Sequence, residues 1–360
     1  MKKIVTILGA RPQFVKAAVL SRIIQKYNDL EEVIVHTGQH FDQNMSDVFF
    51  EEMQIPKPKY NLDINSMSHG AMTGKMLADI EVVLQKEKPD AVVVYGDTNS
   101  TLAGALAAKK MHIKVVHIEA GLRSFNMKMP EEINRIVTDR ISDLLSCPTQ
   151  IAMDNLMREG FENLDIRIQK HGDIMKDAVE YYSRFSSEKS SLLQELRLGS
   201  NQFVLATIHR QENTDDPQKL RSIFQALDQI HQEYPVVLPL HPRTKNVLEN
   251  NQLSTKVMLI NPVGYFDMLE LLKNCKMVVT DSGGLQKEAF FNKKHCIVAR
   301  EETEWRELVD HGFAKIVGSN QQATFAAFES FKNSNKDFSV ALYGNAVGEK
   351  IYQSIKQLIA

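Results

Sequence analysis

The chain has 360 residues, with 43 Lys and Arg against 45 Asp and Glu, a formal charge of −2. With 43% hydrophobic and 24% charged residues, it reads as an ordinary globular protein, not a disordered or fibrous one. The near balance of charge argues against a protein that holds nucleic acid, whose affinity needs surplus Lys and Arg, but it leaves room for a local basic pocket and a small anion.

Ile4 to Leu8 is a β-branched run ended by Gly9, and Gln13 to Tyr27 then has helical spacing. Strand Glu32–Thr37, helix Thr73–Lys88, strand Ala91–Tyr95, helix Asn99–Met111 and strand Lys114–Ile118 follow. Pro130 to Leu144 reads as a helix entered through proline, and Ser146 to Pro148 as a short strand. The pattern pauses over the Ser-rich, charged stretch Phe185–Asn201 and then restarts. Strands Phe203–Thr207, Val236–Pro239, Val257–Leu259, Met277–Thr280 and Cys296–Ala299 alternate with helices Pro217–Glu233, Tyr265–Lys273 and Leu285–Phe291, before a last helix Gly344–Ile359. Strands apolar on both faces that alternate with helices indicate parallel sheets covered on both sides.

Length alone admits one large barrel, but the restart favours two α/β domains. The expected division is 1–170, a connecting region 171–200, 201–343, and a terminal helix 344–360 packing back on the first domain. Cys147, Cys275 and Cys296 are odd in number and lack a Cys-x-x-Cys pair, which points to free buried thiols in a reducing compartment. No apolar run approaches the length of a membrane span, so a cytoplasmic protein is expected.

Ligands of such folds lie beyond the carboxyl ends of strands, and six segments sit there. Gly9-Ala10-Arg11-Pro12, with Lys16 one turn later, suits an anion cradle at a helix start or a solvent-facing turn. Asp97, in Gly96-Asp97-Thr98, is either a helix cap or a catalytic carboxylate. Glu119 follows the adjacent strand, and two carboxylates in one cleft can have their pKa values pushed apart for acid and base work. Glu131 and Arg135 are four apart on one helical face and suit an ion pair. His209 handles protons or sits beside phosphate, or serves structure alone. Ser282, Gly283 and Gly284 present N–H and O–H donors to a diphosphate, or Ser282 merely caps the helix, while Glu288 reaches toward ribose. His241, at another strand end, joins the binding set. There is no His-Glu-x-x-His and no cysteine cluster, so no metal is expected.

In this order the motifs resemble the non-hydrolysing UDP-N-acetylglucosamine 2-epimerase family from Gly9 to about Gly318. The resemblance implies two Rossmann-like domains in the GT-B arrangement, a homodimer, a UDP-sugar in the interdomain cleft, and no metal or redox cofactor. It assigns Asp97, Glu119 and Glu131 to the sugar and His209 to the diphosphate region. Arg11 and Lys16 match the basic N-terminal loop, Arg135 the arginine after the paired glutamates, Ser282–Gly284 the phosphate turn and Glu288 a ribose ligand. It also implies the mechanism, anti elimination of UDP to a 2-acetamido glycal followed by re-addition with protonation from the other face.

The chain departs from members acting on UDP-N-acetylglucosamine. Its loop Ser124–Met129 is shorter, Gly9-Ala10-Arg11-Pro12-Gln13 replaces Gly-Thr-Arg-Pro-Glu, and Glu301-Glu302-Thr303-Glu304-Trp305 stands where they carry Thr-Glu-Arg-Pro. Gln39-His40 resembles part of a regulatory pair. Phe41, Asp42, Asn44, Met45 and Met127–Asn134 look closer to the branch acting on UDP-2,3-diacetamido-2,3-dideoxy-glucuronate for O-antigen synthesis, with Lys128 as a partner for the sugar carboxylate or a solvent-facing lysine. UDP-N-acetylglucosamine is the alternative substrate. A GT-B glycosyltransferase or an inactive UDP-sugar sensor is the more remote alternative.

Overall fold

The computed structural model describes residues 1–39, 50 and 55–360. It divides into two compact units, residues 1–178 with 341–360, and residues 179–340.

In the first unit, β1 (Lys2–Leu8), β2 (Leu30–His36), β3 (Tyr60–Asn61), β4 (Ala91–Tyr95), β5 (Lys114–Ile118), β6 (Leu144–Cys147) and β7 (Arg167–Lys170) form a parallel sheet ordered β3-β2-β1-β4-β5-β6-β7. Val92, Val93 and Val94 of β4 are wholly buried, as a central strand covered on both faces requires. The edge strands β3 and β7 escape the sequence pattern because they are short or polar. Helices α1 (Arg11–Tyr27), α2 (Asn99–Lys110) and α3 (Pro130–Ile141) carry the chain between strands. The expected helix over Pro130–Leu144 stops early. Ser142 turns extended (φ −83°, ψ 154°), the Asp143 carboxylate accepts from Val115 N at 2.8 Å, and Leu144 pairs with Val116 in the sheet.

The second unit repeats the topology. Strands β8 (Val204–Thr207), β9 (Val236–Pro239), β10 (Met258–Ile260), β11 (Val278–Thr280), β12 (Cys296–Val298) and β13 (Ala314–Ile316) lie parallel in the order β10-β9-β8-β11-β12-β13. Its site-bearing helix is α4 (Gly283–Phe291). The Ser-rich stretch after Phe185 belongs to this unit and folds into short helices Ser186–Lys189 and Leu192–Glu195. It is held there because Ser186 Oγ donates to Glu270 at 2.5 Å and Ser190 Oγ to Asp267 at 2.6 Å. The division between the units therefore falls ahead of that stretch, inside the helix Ile174–Tyr182.

The chain ends in α5 (Val347–Leu358), within the first unit and against α1. Gly348 permits the contact, since a Cβ there would lie 2.6 Å from Ile23 and 2.7 Å from Val19. Tyr27 and Tyr352 stack at 4.9 Å, and Asp29 binds both Tyr352 and Lys356. Among the described residues no helix is long and apolar enough to cross a membrane. The three cysteines are free and buried.

Candidate active site

Each sheet changes winding direction at one point, between β1 and β4 and between β8 and β11, and the segments singled out above follow those strands or their neighbours. Such switch points are where open α/β sheets bind ligands.

In the first unit, Gln13 anchors the loop after β1. Its side-chain oxygen accepts from Gly9 N at 2.8 Å and Ala10 N at 3.1 Å, and its amide donates to Tyr95 O, Thr98 Oγ1 and Thr101 Oγ1. Arg11 opens α1, half-buried. Lys16, one turn further and buried, is ion-paired with Glu119. The β4–β5 register, Tyr95 opposite Ile118, brings Gly96 beside Glu119. Gly96 has φ +62°, and a Cβ there would stand 3.1 Å from Glu119 Oε2. Glu119 itself has φ +72°, a conformation uncommon for a residue with a side chain. Ser146 O holds it by accepting from Glu119 N and Ala120 N at 3.1 and 3.0 Å.

Thr98, not Asp97, caps α2, accepting from Thr101 N. Asp97 instead receives Arg135, whose Nε and Nη2 lie 3.0 and 2.5 Å from Oδ2, while Asn134 donates to Asp97 O at 2.8 Å. The expected Glu131–Arg135 pair is absent: Arg135 turns to Asp97 and, at 2.7 Å, to Glu132. Glu131 is half-buried. Its neighbour Glu132 holds the loop Ser124–Met129, accepting from Ser124 N, Ser124 Oγ and Phe125 N at 2.9–3.1 Å. Lys128 on that loop is exposed. Asp97 is thus ion-paired with Arg135, and Glu119 with Lys16. His40, Phe41, Asp42, Asn44 and Met45 lie outside the described residues. Gln39 accepts from Ser100 N and Oγ at 3.1 and 2.8 Å.

In the second unit the organiser is Asp281, fully buried after β11. Its carboxylate accepts from the backbone of His209 (3.1 and 3.0 Å) and Arg210 (2.9 Å) and from Asn213 Nδ2 (3.1 Å), fixing the loop after β8. His209 Nδ1 lies 3.3 Å from Asp281 Oδ1. Burial, reinforced by Arg210 and Arg243, holds the His209 pKa below the usual imidazole value although Asp281 opposes them. The His241 ring lies 5.6 Å from that of His209, and its Nδ1 accepts from Arg243 N at 3.2 Å, so that nitrogen is unprotonated. Its pKa is lowered as well, by burial and then by His209 and Arg243.

Ser282 precedes α4, but its side chain makes no capping bond, which leaves the N–H groups at the helix start for an anion. A Cβ on Gly283 would lie 3.4 Å from Glu304 Oε2 and 3.8 Å from a guanidinium nitrogen of both Arg210 and Arg300. Gly284 is exposed and Glu288 half-buried further along α4. Among the described residues, no group of three or more His, Cys, Asp or Glu side chains is placed to hold a metal.

Residues 22–356 match the family model described as UDP-N-acetylglucosamine 2-epimerase. The chain belongs to this family. It is 56% identical over 318 residues, 88% of each chain, to the UDP-2,3-diacetamido-2,3-dideoxy-D-glucuronate 2-epimerase of Pseudomonas aeruginosa. It is 41% identical to the UDP-N-acetylglucosamine 2-epimerase of Methanocaldococcus jannaschii over 97% of each. The crystal structure of the Methanocaldococcus jannaschii UDP-GlcNAc 2-epimerase in complex with UDP-GlcNAc and UDP matches with a TM-score of 0.90, covering 99% of both chains. That of the Neisseria meningitidis enzyme bound to UDP-GlcNAc matches at 0.88 with 29% identity, covering 99% of this chain and 100% of that one.

Within this 2-epimerase family chain, several residues that shape the site carry little signal in sequence. All the buried residues of α3 are polar or charged, Glu132, Asn134, Arg135, Thr138 and Asp139, while Ile133 is 44% exposed. An amphipathic pattern is ordinarily read with its apolar stripe inward, and this helix reverses it. The i, i+3, i+7 spacing of Glu132, Arg135 and Asp139 is the available clue. Arg300, at the end of β12 and bound to Glu304 through two contacts of 3.0 and 2.9 Å, is betrayed only by its strand-end position.

Proposed function

We propose that the chain interconverts the C2 epimers of a UDP-2-acetamido sugar, with UDP-2,3-diacetamido-2,3-dideoxy-glucuronate and its manno isomer as the pair. The observation that carries the substrate choice is the 56% identity to the Pseudomonas aeruginosa diacetamido-glucuronate enzyme, against 41% to the Methanocaldococcus jannaschii UDP-N-acetylglucosamine enzyme. The latter supports UDP-N-acetylglucosamine as the second reading.

The C2 hydrogen of a hexose is not acidic, so departure of UDP must drive its loss. A carboxylate takes the C2 proton, the C1–O bond breaks with its electron pair going to UDP, and a C1–C2 double bond forms. UDP then adds back at C1 while a proton reaches C2 from the opposite face. Asp97, Glu119 and Glu131 serve the sugar, with Lys16 and Arg135 holding Glu119 and Asp97 in place. His209, His241, Arg11 and the Ser282-Gly283-Gly284 turn hold the diphosphate, where positive charge and N–H dipoles stabilise the leaving group. Glu288 holds the ribose. Neither a metal nor a redox cofactor enters these steps. In this reading the enzyme is a cytoplasmic homodimer supplying a sugar for O-antigen assembly.

The test is NMR of each nucleotide sugar with purified protein in deuterated water. Deuterium is expected at C2 as the manno isomer appears, faster with the uronate. Faster turnover of UDP-N-acetylglucosamine would reverse the substrate choice, and no exchange with either sugar would sink the epimerase reading.

A further inference from the structure

The Gly96–Asp97 turn and the Glu119 turn are held from beneath by side chains that reach neither carboxylate. His117, on β5, is fully buried. Its Nε2 lies 2.7 Å from Gly96 O and its Nδ1 2.7 Å from Asp139 Oδ1. Gly96 O can only accept, so Nε2 donates to it, while Nδ1 faces the Asp139 carboxylate. The other oxygen of Asp139, a residue also fully buried, accepts from Gly121 N at 3.1 Å and Arg123 Nη1 at 2.7 Å. Arg123 reaches on to Glu159 with contacts of 2.7 and 2.8 Å. One carboxylate therefore ties the backbone just before Asp97, through His117, to the backbone just after Glu119. It sits on α3, the helix whose Arg135 grips Asp97. Buried ionic groups seldom outperform apolar packing as a source of stability, so this cluster calls for a role in geometry.

We propose that His117 and Asp139 are positioning residues that set the spacing of Asp97 and Glu119 for the reaction. The kinetic part of this inference rests on the epimerase reading, whereas its spectroscopic part does not.

Three variants test it. H117L removes both donors, and kcat is expected to fall about 100-fold at nearly unchanged KM, the scale of a misplaced reacting group. H117Q keeps an amide N–H for Gly96 O and restores kcat to within about tenfold of wild type, the upper part of that loss being a matter of placement. D139N leaves its oxygen toward Gly121 and Arg123 and turns its NH2 to His117 Nδ1. The ring then accepts there while still donating to Gly96, and kcat stays in the H117Q range. Nitrogen-15 spectra of the histidines are expected to show both His117 N–H groups in wild type and only the Nε2 one in D139N.

A folded H117L with wild-type kcat would overturn the proposal, as would an H117Q no better than H117L. If H117L does not fold, the other two variants decide, and a folded H117Q or D139N with an H117L-sized loss counts against it. A wild-type His117 ring lacking one N–H also overturns it. Wild-type protein that shows both N–H groups but turns over neither sugar removes the function reading and leaves the placement standing.

Discussion

The two units share a strand order but use their switch points in opposite ways. In the first, carboxylates at the strand ends are paired with cations, Glu119 with Lys16 and Asp97 with Arg135, which also binds Glu132. In the second, the carboxylate Asp281 is buried below the surface and engaged by backbone N–H groups. The guanidiniums of Arg210 and Arg300 lie beside Gly283, next to a helix start that Ser282 does not cap. In the proposed reading the first arrangement holds carboxylate oxygens for proton transfer, and the second offers guanidiniums and N–H dipoles to an anion. One topology thus supports two kinds of chemistry, and the difference lies in where the carboxylates sit relative to the strand ends.

The largest effect expected from breaking this contrast is kinetic and confined to one side. E119Q keeps the shape but loses the charge that Lys16 matches, so kcat should fall about 100- to 10,000-fold, the span of general acid–base contributions. UDP affinity, which in this reading rests on the second unit and Arg11 and not on Glu119, should stay at the wild-type value in calorimetry. An equal loss of UDP binding would erase the distinction.

A second, structural test compares adjacent glutamates on α3. E132A leaves Arg135 Nη1, Ser124 N and Phe125 N without their acceptor, a defect of about 3–5 kcal/mol for a broken buried ion pair. E131A should change stability by about 0.5 kcal/mol or less, as an ordinary surface substitution does, while reducing kcat. Thermal unfolding of both proteins checks the pair, and similar melting temperatures would show that Glu132 does not hold the loop.

The smallest effect concerns protons in the second unit. Burial holds the His209 pKa below the usual imidazole value, so the free enzyme carries it largely neutral at pH 7. A bound diphosphate favours the charged ring and raises that pKa. Binding UDP should therefore take up a fraction of a proton between the lowered pKa of the free enzyme and the raised one of the complex, and affinity should rise as pH falls through that window. Calorimetry in buffers of different ionisation enthalpy measures the uptake, and H209N should abolish it. Uptake that persists in H209N would move the role to His241.

Much of the site was legible because its residues follow strand ends, and strand ends are legible from β-branched runs closed by glycine. Gly96-Asp97, His117–Glu119, His209 and Asp281–Gly284 all stand there. Partnerships were harder. The spacing of Glu131 and Arg135 satisfies a local helix rule, but Arg135 meets Asp97 across 38 positions, and a buried, bidentate-capable guanidinium takes the partner that tertiary packing offers. The Ser-rich stretch after Phe185 misled for a similar reason, since its loop-like composition conceals hydroxyls that bind Glu270 and Asp267.

The sequence by itself determined the α/β alternation, the order of the motifs, the family and the absence of a surplus charge suited to a polyanion. Those properties are local or compositional, so no packing was needed to read them. Only the tertiary structure decided which charge answers which. Lys16 and Glu119 are 103 residues apart and meet because β4 pairs with both β1 and β5. The polar face of α3 turns inward because Asp97, Ser124 and His117 wait there with donors and acceptors that water would otherwise have to fill. The overall charge of −2 concealed both facts, since a sum over the chain carries no information about distance.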